Sequence, residues 1–184
     1  MSQIRYKVRI VELLLRKENH VRGLARELHT NQTTAARMLQ QLYVENVVDF
    51  RMEGRNKVFH IKKSMEAKQA AYMVEVQRLQ EVIKKYPRLS LLVEMIRRNP
   101  KIHLAIIFGS YAKGTAHRAS DIDIYVETDS LKLKSAIEML DSKLSVQIGR
   151  YDTRSLLIKE IEKNHLIVKG IEEYYEKSSF FEGT

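Results

Sequence analysis

Cysteine is missing from all 184 residues, and proline occurs only twice. Without thiols there is no disulfide framework, no thiolate metal site and no cysteine nucleophile. Any chemistry must draw on carboxylates, hydroxyls, histidine or a bound metal. A cysteine-free chain also suits a reducing compartment. With only seven glycines and 44% hydrophobic residues, collagen-like, low-complexity and disordered classes are excluded, because enough apolar surface exists to offset the entropy of folding. No uncharged apolar run approaches the roughly 18 to 20 residues that span a bilayer. The opening MSQIRYKVRI is too charged for a secretory leader. The expectation is a cytoplasmic chain with no membrane contact.

What is present is positive charge, unevenly spread. The net charge is +9. Residues 1–63 hold 13 Lys and Arg against 6 Asp and Glu, residues 64–99 hold 7 against 4, and residues 100–184 hold 12 against 13. The first third therefore carries most of the positive field, which favours contact with a polyanion such as nucleic acid. The last third has a different role.

In that basic third, Ile4, Val8, Val11, Leu14 and Leu15 recur at helical spacing. A second short helix is expected over 21–28, with Leu24, Ala25 and Leu28 inward. Asn31 is a suitable N-cap for a third, with Ala35, Leu39 and Leu42 on its apolar side. The other side shows Gln32, Thr33, Ala36, Arg37 and Gln40. It is polar, short-chained and free of acid, which suits a major groove where amides and guanidinium groups read base edges. Past Asn46 the period changes to two, and residues 47–51 and 57–61 about a turn at 53–56 predict a β-hairpin. Three helices and a basic-tipped hairpin, with LARELHTNQTTAARMLQQLYVENVV as the closest stretch, resemble the winged helix-turn-helix transcriptional regulators over residues 3–62. The resemblance implies double-stranded DNA as partner, helix 31–45 as the recognition helix, and Arg51, Arg55 and Lys57 as wing contacts to the backbone or minor groove.

Residues 64–86 lack Gly and Pro, and Met65, Tyr72, Val76, Leu79, Ile83 and Tyr86 fall on a heptad seam broken only at Gln69. The seam predicts either a self-associating helix, making a homodimer with two recognition helices, or packing on the chain's own C-terminal part. Pro87 ends this helix, and another is expected over 89–98.

The most informative stretch runs from His103 to Glu127. A buried strand over 104–108 stops at Gly109-Ser110, where glycine permits a sharp turn and a close approach to a ligand. A helix starting at Ser110 would aim free N–H groups at an anion such as phosphate. Lys113 lies one turn on, and Gly114 can end the helix. Asp121 and Asp123 then alternate with Ile122 and Ile124, so a strand places both carboxylates on one face. Their repulsion calls for a neutralising cation. Mg²⁺, which takes one or two protein carboxylates together with phosphate oxygens and water, fits that need.

FGSYAKGTAHRASDIDIYV resembles the DNA polymerase β superfamily of nucleotidyltransferases, and especially its minimal prokaryotic group, across about residues 100–175. The resemblance implies that Gly109 and Ser110 contact a nucleoside triphosphate and that Asp121 and Asp123 are the catalytic, Mg²⁺-binding pair; Lys113 and Ser120, placed beside them, are further nucleotide-binding candidates. The expected fold class is α+β: a winged helix-turn-helix over 1–63, a helical linker with a dimerising role over 64–99, and a polymerase-β-like nucleotidyltransferase fold with a small mixed sheet over 100–184.

The chain departs from that superfamily's full set at one point. The third carboxylate belongs on the next strand, here 144–148, which holds Ser145 and Gln147 on its site-facing side and no acid. Glu127 and Asp152 are the nearest substitutes. Three readings stay open: a DNA-binding regulator with a working transferase, an antitoxin that modifies a protein partner, and a non-catalytic nucleotide sensor or scaffold. Toward the end, Leu157, Ile161, Leu166, Val168 and Ile171 are expected to pack as short helices. His165 is a packed residue or an aid to nucleotide binding, and Tyr174, Tyr175, Phe180 and Phe181 finish the core or form a partner surface.

Overall fold

The computed structural model describes residues 3–182. The chain divides into two compact units, one of residues 1–74 with 181–184 and the other of residues 75–180.

The first unit opens with α1 (Gln3–Arg16), β1 (Asn19–His20), α2 (Val21–Glu27) and α3 (Gln32–Val44), followed by β2 (Val48–Glu53) and β3 (Asn56–Ile61). Ile10, Val11 and Leu14 of α1 are buried, as are Leu24 and Ala25 of α2, while Ile4 is 70% exposed. Asn31 caps α3 as its sequence suggests, its side chain accepting the Thr34 N–H at 2.7 Å. Ala35, Met38, Leu39 and Leu42 form the buried side of that helix. β2 and β3 pair antiparallel from Val48–Ile61 to Glu53–Asn56, which leaves Gly54 and Arg55 as a two-residue turn with Gly54 at φ 59°. The break after α1 also contributes: Asn19 and His20 pair with Phe59 and Val58, so the sheet order is β1-β3-β2.

The boundary between units falls inside α4 (Met65–Lys85). The heptad seam does not survive as a single stripe. Met65 is 67% exposed and Val76 is exposed, whereas Ala67, Ala71 and Val74 are buried. The buried side of the first half thus carries small residues, and the seam residues Met65 and Val76 lie on its exposed side. Farther along, Leu79 is buried, and Val82, Ile83 and Tyr86 pack on the core of the second unit.

That second unit continues with α5 (Leu89–Arg98), β4 (Ala105–Ile107), α6 (Gly109–Ala112), β5 (Ile122–Glu127), α7 (Leu131–Glu138), β6 (Leu144–Gly149), α8 (Leu156–Lys163), β7 (Leu166–Lys169) and α9 (Ile171–Lys177). Its sheet order is β6-β5-β4-β7, with β5 and β6 parallel and the other pairs antiparallel. The result is a small mixed sheet. Ile107, Ile122, Ile124, Val126, Val146, Leu166 and Val168 share its core with Leu89, Leu92, Val93 and Ile96 of α5. Residues 166–169 were expected to be helical but form the edge strand β7, because a four-residue apolar run has no period of its own and the free edge of β4 pairs it. Tyr174 and Tyr175 are buried and complete the core, while Phe180 and Phe181 are half-buried.

Candidate active site

β4 is buried over all three residues, and its chain must turn abruptly at its end. Gly109 makes that turn at φ +67°. A Cβ there would lie 2.3 Å from Oδ2 of Asp123, so only glycine lets the turn and the carboxylate occupy neighbouring space. The Phe108 N–H donates to the Asp123 carbonyl at 3.0 Å and ties the turn to β5. α6 is a single turn of four residues beginning at Gly109, one residue earlier than expected. It therefore offers an anion its first N–H groups, which have no partner within a helix, rather than a long helix dipole. The Ser110 carbonyl accepts the Thr115 N–H at 3.0 Å, and Gly114, at φ 71°, reverses the chain after α6.

The two carboxylates arrive as the alternation requires. Ile122 and Ile124 are buried, Asp121 is exposed just ahead of β5, and Asp123 is half-buried beside Gly109. Burial, and then the negative charge of Asp121, push the Asp123 carboxyl up from its ordinary value; the Ser145 hydroxyl hydrogen-bonds to it and pulls the other way. Among the described residues no cation pairs with either carboxylate, so negative charge is concentrated beside a turn whose first N–H groups have no helical partner. These residues fit Mg²⁺ carried on a polyphosphate: two carboxylate ligands, with the remaining positions left to phosphate oxygens and water.

Other expected residues are engaged differently. Lys113 pairs with Glu160 of α8 at 3.3 Å. Ser120 accepts the His117 N–H on its hydroxyl at 3.0 Å, which shapes the loop entering β5. The parallel register sets Ser145 opposite Asp123 and Gln147 opposite Tyr125, so the strand position beside the pair carries a hydroxyl and not an acid. Neither substitute acid takes that place. Glu127 accepts the Tyr151 N–H at 3.1 Å and pairs with Lys177 at 3.1 Å, while Asp152 is exposed, bound by the backbone and side chain of Arg154 and held by them below the usual carboxylate range. Among the described residues, no three His, Asp or Glu side chains cluster as a metal site.

His165 belongs to a packed polar network. Its Nε2 lies 3.5 Å from Glu75 Oε1, and its Nδ1 lies 3.3 Å from the Tyr174 hydroxyl. Glu75 is only 2% exposed, yet also receives Arg78 at 3.3 Å and the Tyr175 hydroxyl at 3.3 Å. Burial drives its carboxyl upward, but the His165 contact and the Arg78 charge outweigh burial and hold it below the ordinary value. The sequence offered no sign of this network, whose members are up to 100 residues apart.

In the first unit, Gln32, Thr33, Ala36, Arg37 and Gln40 are all exposed on α3, as are Arg51, Arg55 and Lys57 on the hairpin. Arg51 is already paired with Glu18 and, at 2.6 Å, with Glu53. Lys57 lies 4.0 Å over the Phe50 ring. Arg55 stands at the hairpin tip.

Residues 91–173 match the family model described as "Polymerase beta, Nucleotidyltransferase". The protein adenylyltransferase MntA of Shewanella oneidensis is 38% identical over 69 residues, covering 35% of this chain; the chain spans only 50% of that relative's length. Two solved structures are similar at a lower level. One is the solution structure of the homodimeric winged helix-turn-helix DNA-binding domain of Mb0332 from Mycobacterium bovis, at 24% identity and a TM-score of 0.35, covering 44% of this chain and 70% of that one. The other is a crystal structure of a toxin-antitoxin with AMP-PNP, at 20% identity and a TM-score of 0.34, covering 57% of this chain and 79% of that one. No helix among the described residues is long and apolar enough to cross a membrane.

Proposed function

We propose, for a chain whose residues 91–173 match the polymerase β nucleotidyltransferase family model, that the second unit binds a Mg²⁺-nucleoside triphosphate and transfers its nucleotidyl group to a hydroxyl. The first unit, in this reading, is a winged helix that docks on double-stranded DNA. The observation that carries the transferase half is the interlock of Gly109 with Asp123, which sets free N–H groups beside an unneutralised carboxylate pair.

Each residue has a distinct part. The Gly109–Ser110 turn receives the phosphates, and Lys113, released from Glu160, adds positive charge to them. Asp121 and Asp123 hold the metal, which when bound neutralises phosphate charge and polarises the phosphoryl group. Ser145 keeps Asp123 oriented. The acceptor oxygen forms a bond to the α-phosphorus, the bond from that phosphorus to the pyrophosphate oxygen breaks, and the acceptor proton passes to solvent. The similarity to MntA, named a protein adenylyltransferase, favours ATP as donor and a protein hydroxyl as acceptor. In that case the chain modifies a partner, and its DNA-binding unit serves regulation. Transfer of label from α-³²P-ATP, compared between wild type and Asp121→Asn/Asp123→Asn, tests this: equal labelling refutes it.

The absence of any acid on β6, where Ser145 and Gln147 stand opposite Asp123 and Tyr125, supports a second reading, in which the site binds nucleotide without turning it over. Calorimetry with ATP and Mg²⁺ separates the two, since a sensor binds without releasing pyrophosphate. For the first unit, the basic excess and the exposed polar side of α3 support DNA binding whose affinity falls steeply with salt. A flat salt dependence counts against it.

A further inference from the structure

The loop after the Gly109–Ser110 turn is held from outside the 91–173 segment. Lys85, the last residue of α4, donates from Nζ to the Gly114 carbonyl at 2.7 Å. The next residue, Tyr86, aims its hydroxyl at two carbonyls, those of Gly114 and Ala116, each at 3.2 Å. Its ring stands edge-on to Tyr111, with centroids 5.0 Å apart, and Tyr111 is the buried residue of α6. Gly114 is the residue that reverses the chain after α6, and its carbonyl accepts from the charged Lys85 while sharing the single Tyr86 hydroxyl proton with the Ala116 carbonyl.

The loop's own bonds leave a gap that these donors span. The Gly114 and Thr115 N–H groups bond back to Tyr111 and Ser110, and the Ser120 N–H bonds to His117. Between those two turns lies the stretch from Gly114 to Ala116, which is where Lys85 and Tyr86 bind. The loop joins the turn that offers N–H groups to the strand that offers carboxylates. If it were loose, ligand binding would have to order it at an entropic cost.

We propose that Lys85 and Tyr86 are positioning residues for nucleotide binding, fixing the 113–120 loop so that the Gly109–Ser110 turn and Asp121 keep their spacing. The proposal rests on the nucleotide reading above and extends it to residues beyond the matched family segment. Both act through the loop and touch no reacting atom, so their loss weakens binding and leaves the chemical step nearly unchanged.

The test uses the full chain with Tyr86→Phe, which keeps the ring on Tyr111, and Lys85→Met, which keeps the aliphatic stem. Calorimetric titration with ATP and Mg²⁺ should show each variant binding about fivefold more weakly, the change that loss of one ordinary hydrogen bond produces. Where transfer is measured, KM rises and kcat holds. Amide hydrogen exchange at Gly114 and Thr115 should quicken in both variants without nucleotide, and Lys85→Arg should restore the wild-type rate. Wild type that binds ATP while both variants bind equally well, with unchanged exchange, overturns the inference alone. Wild type that binds no ATP overturns the nucleotide reading, and the inference with it. Should Tyr86→Phe fail to fold, Lys85→Met, at an exposed side chain, carries the same test.

Discussion

The two units treat charge in opposite ways. In the first, α3 turns a polar side bearing Arg37 to solvent with no acid on it, and the hairpin tip adds Arg55. In the second, most charged groups near the sheet are paired or hydrogen-bonded, as Glu127 is to Lys177 and Glu75 to His165 and Arg78, yet Asp121 and Asp123 are left pressing on each other. One unit concentrates uncompensated positive charge and the other uncompensated negative charge. The proposed function rests on this imbalance: it assigns a polyanion to the first surface and a cation carried on phosphates to the second.

The sharpest way to break that contrast is to remove the negative pair. Asp121→Asn or Asp123→Asn should lower nucleotidyl transfer by about a hundredfold or more, since a metal's charge stabilisation is worth several kcal/mol. DNA affinity, measured by fluorescence titration, should stay unchanged. Next in size is Glu75→Ala, which leaves Arg78 and His165 facing a buried vacancy and should cost about 3 kcal/mol in denaturant unfolding. Because the folded-state pKa of Glu75 lies below its unfolded value, its stabilisation is fully present above the unfolded value and is lost as pH falls through the folded one. Wild type should therefore lose more stability than Glu75→Gln on acidification through the carboxylate range.

A smaller effect separates two arginines of the hairpin. Arg55→Ala should reduce the slope of log affinity against log salt by about 1, the value for one lost phosphate contact. Arg51→Ala should change it less, because Glu18 and Glu53 already occupy that guanidinium. Equal slopes for both would show that the ion pairs dissolve on DNA. Smallest is Asn31→Ala, expected to cost about 1 kcal/mol through loss of the α3 cap.

How far the molecule was legible depended on how local its causes were. Asn31 and the Ala35–Leu39–Leu42 spacing announce α3 within one segment, and the alternation about Asp121 and Asp123 sets both acids on one face without reference to any partner. β7 was not legible, because its four apolar residues become a strand only when β4 presents an edge. The seam on α4 was legible in part: Leu79, Ile83 and Tyr86 pack on the second core, whereas Met65 and Val76 are exposed and the off-seam Ala67 and Ala71 are buried. The grip of Lys85 and Tyr86 on the loop joins positions about 30 residues apart. Tyr86 could be read only as an apolar position, its hydroxyl having no visible role.

The missing side chain at position 109 leaves a trace in heredity. Any substitution there must displace the Asp123 carboxylate, so positions 109 and 123 are constrained as a pair. A scan that changes one codon at a time will score both as intolerant, and shortening the side chain at 123 will not rescue a change at 109, because φ +67° strains any side chain there and transfer needs Asp123.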